Sequence, residues 1–364
     1  MLIYLNVSVN SKIMKSLKLK YLILFIVPIC FSCSSLLKKP KVSNTTHIYI
    51  SNQPVTINSH AATLVEYMPN EIMASWFGGS YEGAKDVGIY TSKYKDGVWT
   101  PAQIVVKPAV IKGDTLACWN PVLFKSKSKR LYLFYKVGKN PREWFGAMIT
   151  SLDNGVSWSI PKYLPEGFLG PIKNKAIEIS PGIILCGSST ESVENNQWRA
   201  HAEIYNELTD SWSKMAIPND KGFDIIQPTI LVHSKKKLQM LLRSKHNKLI
   251  TTWSFNNGKS WSNADTLNVV NSNSGIDALR LSNNSFLLVN NPSPQGKDWF
   301  YGRNVLDVEY SRDGVTWEKL FDLENQNEGE FSYPAIIQTN DGQIHVVYTY
   351  NRKYIKYVSF KIKK

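Results

Sequence analysis

The chain has 364 residues, of which 12% are aromatic, and its formal net charge is +14. This length suits an all-β domain built from repeats better than one ordinary core. A basic chain raises nucleic acid as a partner, but the lysines form only short runs and no nucleic-acid reader motif occurs, so we exclude nucleic acid binding. The charge then serves solubility, or attraction of an anionic glycan.

The N-terminal region predicts an export signal. Basic residues within 15–20 precede an apolar run over 21–31. That run is too short to span a bilayer and fits the apolar core of a signal peptide. It ends at Cys33, and the pattern resembles a bacterial lipoprotein signal in which this cysteine is lipidated, with Cys30 as the weaker choice. An ordinary cleaved secretory signal is the alternative.

These features set the expected domain boundaries. Met14 is a plausible true start, and residues 1–35 form the predicted signal peptide. A polar linker is expected over 36–45, followed by the folded domain over 46–362. We therefore expect an exported protein, held in the periplasm or at the cell surface by a lipid anchor, or secreted if the signal is of the ordinary type.

A turn motif of the form S-x-D-x-G-x-[ST]-W organises the rest of the chain. It occurs at 151–158, with Asn for Asp at 254–261, and one residue shorter at 311–317. Asp or Asn caps its own backbone, Gly adopts a positive φ, and Trp begins the next strand. The tryptophans that close these and two degenerate turns recur about every 50 residues, at Trp99, Trp158, Trp212, Trp261 and Trp317. This period is typical of propeller blades.

A second repeat has the same phase and predicts six blades. Two apolar strands joined by a polar turn recur at 61–66 with 72–77, 121–124 with 131–137, 176–179 with 183–186, 228–232 with 238–242, 278–281 with 286–290, and 334–338 with 344–350. The last unit ends with a third strand at 354–362, so 47–51 is free to supply its fourth. We predict an all-β, six-bladed propeller of four-stranded antiparallel blades, closed by the N-terminal strand.

This topology predicts where a site lies. The starts of the first strands and the loops between second and third strands gather on one face, while the S-x-D-x-G-x-[ST]-W turns lie on the other. Ligands of such folds bind in the shared mouth. The substrate-binding side chains predicted there are Trp76, Trp119, Asn120, Lys173, Asn174, Lys175, Gln227, Arg243 and Arg303. Since Lys173 and Lys175 alternate, only one of them is expected to face the axis.

The repeats and several segments resemble the sialidase (neuraminidase) superfamily, six-bladed propellers with Asp boxes, also called BNR repeats. The segments are 74–79, 119–124, 170–175, 227–228 and 333–336, and they are most similar to bacterial proteins described as predicted neuraminidases. The resemblance covers residues 46–362. It implies exo-hydrolysis of a terminal acidic sugar, without a cofactor. No spacing of Cys or His indicates a metal site, and Cys118 and Cys186 are expected to be buried thiols.

The resemblance also implies roles for individual residues. Sialidases hold the substrate carboxylate with three arginines and use an Asp acid/base and a Tyr nucleophile paired with a Glu. Arg243 and Arg303 match the second and third arginines, and Asp86 is the best match to the Asp. Tyr333 is expected to line the site or to attack the sugar, and Asp277 is a further catalytic candidate.

Three departures from the sialidase pattern keep the reaction open. His60 stands at the position of the first arginine, Gln227 at that of the Glu, and Phe331 at that of the Tyr. Gln cannot act as a base and Phe cannot attack a sugar. A rebuilt hydrolase with His60 as acid or base is one hypothesis, a lyase on uronate-containing glycans is the second, and a non-catalytic glycan-binding propeller is the third. The expected partners are an anionic glycan and a membrane, for a monomer.

Overall fold

The computed structural model describes residues 39–298 and 300–363, and within these ranges it consists of strands and turns. The predicted signal peptide and its lipidation site Cys33 lie outside the described residues. In the part of the chain that is described, no helix has the length and apolar character needed to cross a membrane.

The strands form six antiparallel sheets, four with four strands and two with five. The first strand, β1 (Lys41–Tyr49), belongs to the last sheet. Blade 1 contains β2 (Asn58–Met68), β3 (Glu71–Gly79), β4 (Gly88–Lys95), β5 (Val98–Trp99) and β6 (Gln103–Val106). Blade 2 contains β7 (Ala109–Ile111), β8 (Asp114–Lys125), β9 (Leu131–Gly138), β10 (Phe145–Ser151) and β11 (Lys162–Tyr163).

Blades 3 to 6 follow the simple four-stranded order. Blade 3 contains β12 (Ile177–Ser180), β13 (Ile183–Glu191), β14 (Trp198–Asn206) and β15 (Ser211–Ala216). Blade 4 contains β16 (Ile225–Val232), β17 (Leu238–Ser244), β18 (Lys248–Ser254) and β19 (Asp265–Val270). Blade 5 contains β20 (Asp277–Arg280), β21 (Phe286–Asn290), β22 (Val305–Ser311) and β23 (Glu318–Asn325). Blade 6 contains β24 (Phe331–Gln338), β25 (Ile344–Tyr350), β26 (Tyr354–Lys363) and β1.

The predicted six-bladed propeller is confirmed, including closure by an N-terminal strand. β1 pairs with β26 from Lys41↔Lys363 to Tyr49↔Lys356. The strand begins earlier than expected, so residues 41–45 belong to the propeller and the predicted linker over 36–45 is too long. The polar composition of 41–45 was misleading because β1 is an outer strand, whose side chains are largely exposed and need not be apolar.

The cores of the molecule lie between neighbouring blades. Each blade is covered on both faces, so its central strands are continuous apolar runs, and β9 is buried along its whole length. Cys118 and Cys186 are buried free thiols within this packing, as expected.

The innermost strands of four blades share one irregularity that shapes the mouth. The ladder to the next strand is interrupted near the start of β2, β16 and β24 and midway along β8, and one residue at each interruption has a positive φ. These residues are Ala61, Asn120, Gln227 and Tyr333, with φ of 53°, 36°, 54° and 53°. A bulge of this kind bends a strand and redirects a side chain, and bulges concentrate next to functional sites.

The turn at 151–158 shows why the repeated motif has its composition. Asp153 Oδ1 accepts hydrogen bonds from the backbone N–H groups of Val156 (3.1 Å) and Ser157 (2.9 Å) and from the Ser151 hydroxyl (2.7 Å). The hydroxyl of Ser157, followed by its backbone N–H, lowers the pKa of the Asp153 carboxyl below its ordinary value. The turn joins β10 to β11 and contributes nothing to the mouth described below.

Replacing this carboxylate is therefore expected to affect stability alone. Asp153→Ala should lower the melting temperature, because several backbone N–H groups lose their acceptor. Leu152→Ala is the matched control, since Leu152 lies in the same turn with 75% of its surface exposed. Thermal melting and a ligand-binding assay check this, and lost binding at an unchanged melting temperature would contradict the placement of the turn.

Candidate functional site

A cavity of about 410 Å³ opens at the mouth of the propeller. All six blades contribute to its wall, either from the start of a first strand or from the loop between second and third strands, as the topology predicted. The wall consists of Glu82, Trp119, Asn120, Pro141, Trp144, Glu191, Trp198, Ile226, Gln227, Arg243, Arg303, Tyr333 and Arg352.

One side of the cavity is cationic. Arg243, Arg303 and Arg352 come from the ends of the second strands, or the following loops, in blades 4, 5 and 6. Arg243 is 7% exposed and Arg303 is 3% exposed. Guanidinium groups held this way match the planar geometry of a carboxylate.

Two residues behind the cavity hold the arginines together. Glu330 accepts hydrogen bonds from Arg303 Nη1 (3.0 Å) and Arg352 Nε (2.8 Å). Asn273 accepts from Arg243 Nε at its side-chain oxygen (2.9 Å) and from Arg303 Nη2 at its carbonyl (3.3 Å). Burial alone would raise the pKa of Glu330, but Arg352 and Arg303 outweigh it and hold that pKa below its ordinary value. The cluster is therefore fixed in its charged form before any ligand arrives.

Tyr333 lies among these cations at the bulge of β24. Arg243 Nη1 donates hydrogen bonds to the Tyr333 hydroxyl (2.8 Å) and to Gln227 Oε1 (3.2 Å). The guanidinium carbons of Arg243 and Arg303 lie 5.7 and 6.0 Å from the centre of the tyrosine ring. Tyr333 and Gln227 are thus brought together by one arginine.

Three tryptophans also line the cavity. Trp119 and Trp144 pack edge to face with ring centres 5.9 Å apart. Trp119 is fixed by a hydrogen bond from Nε1 to the Gly138 carbonyl (2.8 Å). The Trp198 ring lies against Arg243, whose guanidinium carbon is 5.1 Å from the ring centre. Such flat apolar surfaces suit the C–H faces of a sugar ring.

Two carboxyl groups line the cavity, in different environments. Glu82 lies on the β3–β4 loop and forms an ion pair with Arg352. Glu191 ends β13 and is paired across the sheet with Trp198. Burial raises the pKa of Glu191, and the nearby charge of Arg243 only partly offsets this.

Comparison with known proteins identifies the family. Residues 70–346 match the model of the BNR repeat-like domain. The chain belongs to the sialidase-like BNR propeller superfamily. No curated protein matches the sequence.

Several solved structures share the fold at low sequence identity. A protein of unknown function from Dyadobacter fermentans is 16% identical, with a TM-score of 0.70 over 89% of this chain and 99% of that one. The NanB sialidase from Streptococcus pneumoniae is 12% identical, with a TM-score of 0.68 over 85% of this chain and 70% of that one. The intramolecular trans-sialidase from Ruminococcus gnavus is 13% identical, with a TM-score of 0.65 over 86% and 96%. At these identities the likeness concerns the fold.

The first arginine of the sialidase pattern has no counterpart at His60. In the pairing of β2 with β3, the residue at the bulge is Ala61, one residue after His60. Ala61 is equivalent to Tyr333 at the bulge of β24. His60 is buried beneath Tyr333, with ring centres 4.3 Å apart, and its Nδ1 is 2.9 Å from the Thr349 hydroxyl. Burial, followed by the charge of Arg352, lowers its pKa well below the ordinary value. A neutral, buried ring does not fit the predicted role of acid or base near neutral pH.

Asp86 lies outside the cavity wall. Its carboxylate accepts hydrogen bonds from the Ser80 hydroxyl (2.5 Å) and backbone N–H (3.0 Å), which lower its pKa. It therefore closes the β3–β4 loop as an ionised cap, and Glu82 is the carboxylate of this loop that reaches the cavity. The loop predicted to carry the acid therefore borders the cavity through Glu82, and Asp86 does not line it.

Asp277 is buried and pairs with the partly exposed Lys175, and neither residue lines the cavity. Lys175 Nζ is 2.7 Å from Asp277 Oδ2, which also accepts from the Ile336 backbone N–H (2.9 Å). Asp277 Oδ1 accepts from the Thr229 hydroxyl (2.8 Å). With its oxygens occupied by three blades, Asp277 is a structural cross-link, not the predicted catalytic group.

Lys173 also reaches the axis, so the expectation that only one of the two lysines does so is wrong. Residues 171–176 are not a regular strand, and the alternation of side chains does not apply to them. Lys173 Nζ donates to the carbonyl oxygens of Ile276 (2.9 Å) and Pro334, below Tyr333. Burial lowers its pKa to about 7. It supports the cavity floor from behind.

Three further predictions concern side chains near the mouth. Asn174 is buried and donates to the Gln227 carbonyl (3.0 Å), so it positions the wall without forming it. Trp76 lies in the core, stacked on Tyr90, and is not a binding residue. Phe331 is also buried in the core, and Tyr333 is the residue of β24 that reaches the cavity.

Sequence reasoning missed Arg352, Glu330, Glu191, Trp144 and Trp198. Arg352 lies in the loop between the second and third strands of the sixth unit, one of the loops that the topology assigns to the mouth, so reading the loops of all six units would have found it. The described residues contain no group of three or more His, Cys, Asp or Glu side chains placed to hold a metal ion.

Proposed function

We propose that this protein is an exported glycan-active hydrolase that removes a terminal acidic sugar, sialic acid or a relative, from a glycan. The observation that carries the proposal is that three arginines, Tyr333 and three tryptophans line one cavity. The arginines would bind the sugar carboxylate, and the tryptophans would stack on apolar faces of the glycan.

The charges of the cavity support an anionic ligand. Arg303 and Arg352 share Glu330, so their guanidinium groups stay in place without a substrate. Glu82, whose side chain is 37% exposed, is the outer partner of Arg352. An exposed ion pair contributes little free energy, so a substrate carboxylate could displace Glu82 at low cost.

Tyr333 would act on the reacting carbon of the sugar. Glycoside cleavage passes through a transition state with positive charge at the anomeric centre. The Tyr333 oxygen, oriented by Arg243, would stabilise that charge or attack the carbon. Export with a lipid anchor at Cys33 stays part of the proposal and would place the enzyme where glycans are encountered.

The deciding experiment is a product assay on the purified propeller with sialylated and uronate-containing oligosaccharides. We expect release of free acidic sugar. An unsaturated product that absorbs in the ultraviolet would instead indicate a lyase, and binding without any product would indicate a glycan-binding protein. Either result would overturn the hydrolase proposal.

A further inference from the structure

We propose that Glu191 is the proton donor to the leaving glycosidic oxygen. This inference rests on the proposed hydrolase function and assigns a role that the sialidase pattern gives to an Asp of the first blade. Asp86, the residue matching that Asp, lies outside the cavity wall and is held as an anion by Ser80. The site therefore needs another acid.

The position of Glu191 in the cavity favours it over the other carboxyl groups as the proton donor. Glu191 and Trp198 are cross-strand partners, so their side chains lie on the same face of blade 3, and both line the cavity. Arg243 lies over the Trp198 ring and donates to the Tyr333 hydroxyl. Glu191 thus borders the same cavity as Tyr333, beside Trp198, on which the leaving part of the glycan would stack.

The surroundings of the three carboxyl groups also favour Glu191 as the acid. A carboxyl group beside a tryptophan in a poorly solvated pocket is a common arrangement for a general acid. Burial raises the pKa of Glu191, although the charge of Arg243, the neighbouring Trp198 side chain, and the charges of Arg142 and Lys245 each lower it. Glu330 is held ionised by two arginines, and Glu82 is paired with Arg352. Glu330 and Glu82 are therefore both engaged in ion pairs with arginines, whereas burial favours the protonated form of Glu191.

The chemistry balances with water as the only other reactant. The Glu191 proton moves to the glycosidic oxygen while the bond from that oxygen to the anomeric carbon breaks, and the bonding electron pair stays on the oxygen. Water then adds to the anomeric carbon and gives a proton back to Glu191. The products are the free sugar and the shortened glycan.

The test compares two substrates with one variant. A sialyl oligosaccharide has a poor leaving group that needs a proton, whereas a 4-methylumbelliferyl sialoside has a good one that does not. We expect Glu191→Gln to lower kcat/KM about 100-fold or more on the oligosaccharide, and by less than about tenfold on the aryl sialoside. Glu194→Gln, at an exposed site in the same loop, is the matched control and should leave both rates unchanged.

The wild-type pH profile gives a second test that does not depend on a folded variant. Activity on the oligosaccharide should fall as the pH rises through the raised pKa of Glu191, and activity on the aryl sialoside should not show this limb. Equal losses on both substrates, or none, would overturn the assignment of Glu191. A wild-type protein that hydrolyses neither substrate would instead overturn the proposed function.

Discussion

Arg243→Ala is expected to lower kcat/KM on an acidic glycan at least about 100-fold, equivalent to about 3 kcal/mol. Arg243 contacts Tyr333, Gln227 and Asn273 and also faces the cavity, so its removal withdraws a charge and releases Tyr333. Arg243→Lys should recover little of this loss, because an ammonium group cannot form the same fork of hydrogen bonds. Steady-state kinetics with the substrate found in the product assay measures the effect.

The matched control is Arg280→Ala. Arg280 is an exposed arginine of β20 that lies outside the cavity wall, so activity should stay within about twofold of wild type. Undiminished activity of Arg243→Ala on an acidic substrate would show that this arginine does not hold the carboxylate or orient Tyr333.

Glu330→Ala is expected to cost the largest amount of stability, about 3–5 kcal/mol in the free energy of unfolding. The glutamate side chain is 13% exposed and pairs with both Arg303 and Arg352. Its removal leaves two guanidinium groups close together without their shared counter-ion. Chemical denaturation of the variant and the wild type measures the difference.

The pH dependence of this difference follows from the lowered pKa of Glu330. The glutamate stabilises the fold at pH values above its unfolded pKa, and this contribution is lost as the pH falls through the folded pKa. The difference in the free energy of unfolding between the variant and the wild type should therefore become smaller at acidic pH. Glu328→Ala, at an exposed neighbouring site, is the control and should change little. If the difference in the free energy of unfolding stays constant with pH, the ion-pair explanation is contradicted.

The fold could be predicted from the sequence because its signals are local. The turn at 151–158 requires Asp, Gly and a hydroxyl residue for reasons that operate within a few residues, and tryptophans close the corresponding turns in five of the six blades. Buried strands such as β9 are apolar throughout, so they stand out from the polar turns. The outer strand β1 gave a weaker signal because one edge of a blade needs few apolar residues.

The site could be predicted only in part because its geometry depends on strand register. Arg243, Arg303 and Tyr333 were placed correctly, since each lies at a topologically defined end of a strand. His60 and Asp86 were misplaced because a shift of one residue at a bulge, or one capping bond in a loop, decides whether a side chain reaches the cavity. Glu330 and Asn273 act behind the wall, and no motif marks them.

The central claim is that the cavity binds the carboxylate of an acidic sugar, and calorimetric titration tests it most directly. Sialic acid and glucuronic acid would each be compared with the corresponding methyl ester, which keeps the ring and removes the charge. We expect one of the acids to bind at least about tenfold more tightly than its ester, and Arg303→Ala to abolish that preference. Equal binding of acid and ester by the wild-type protein, or no binding of either acid, would contradict the account.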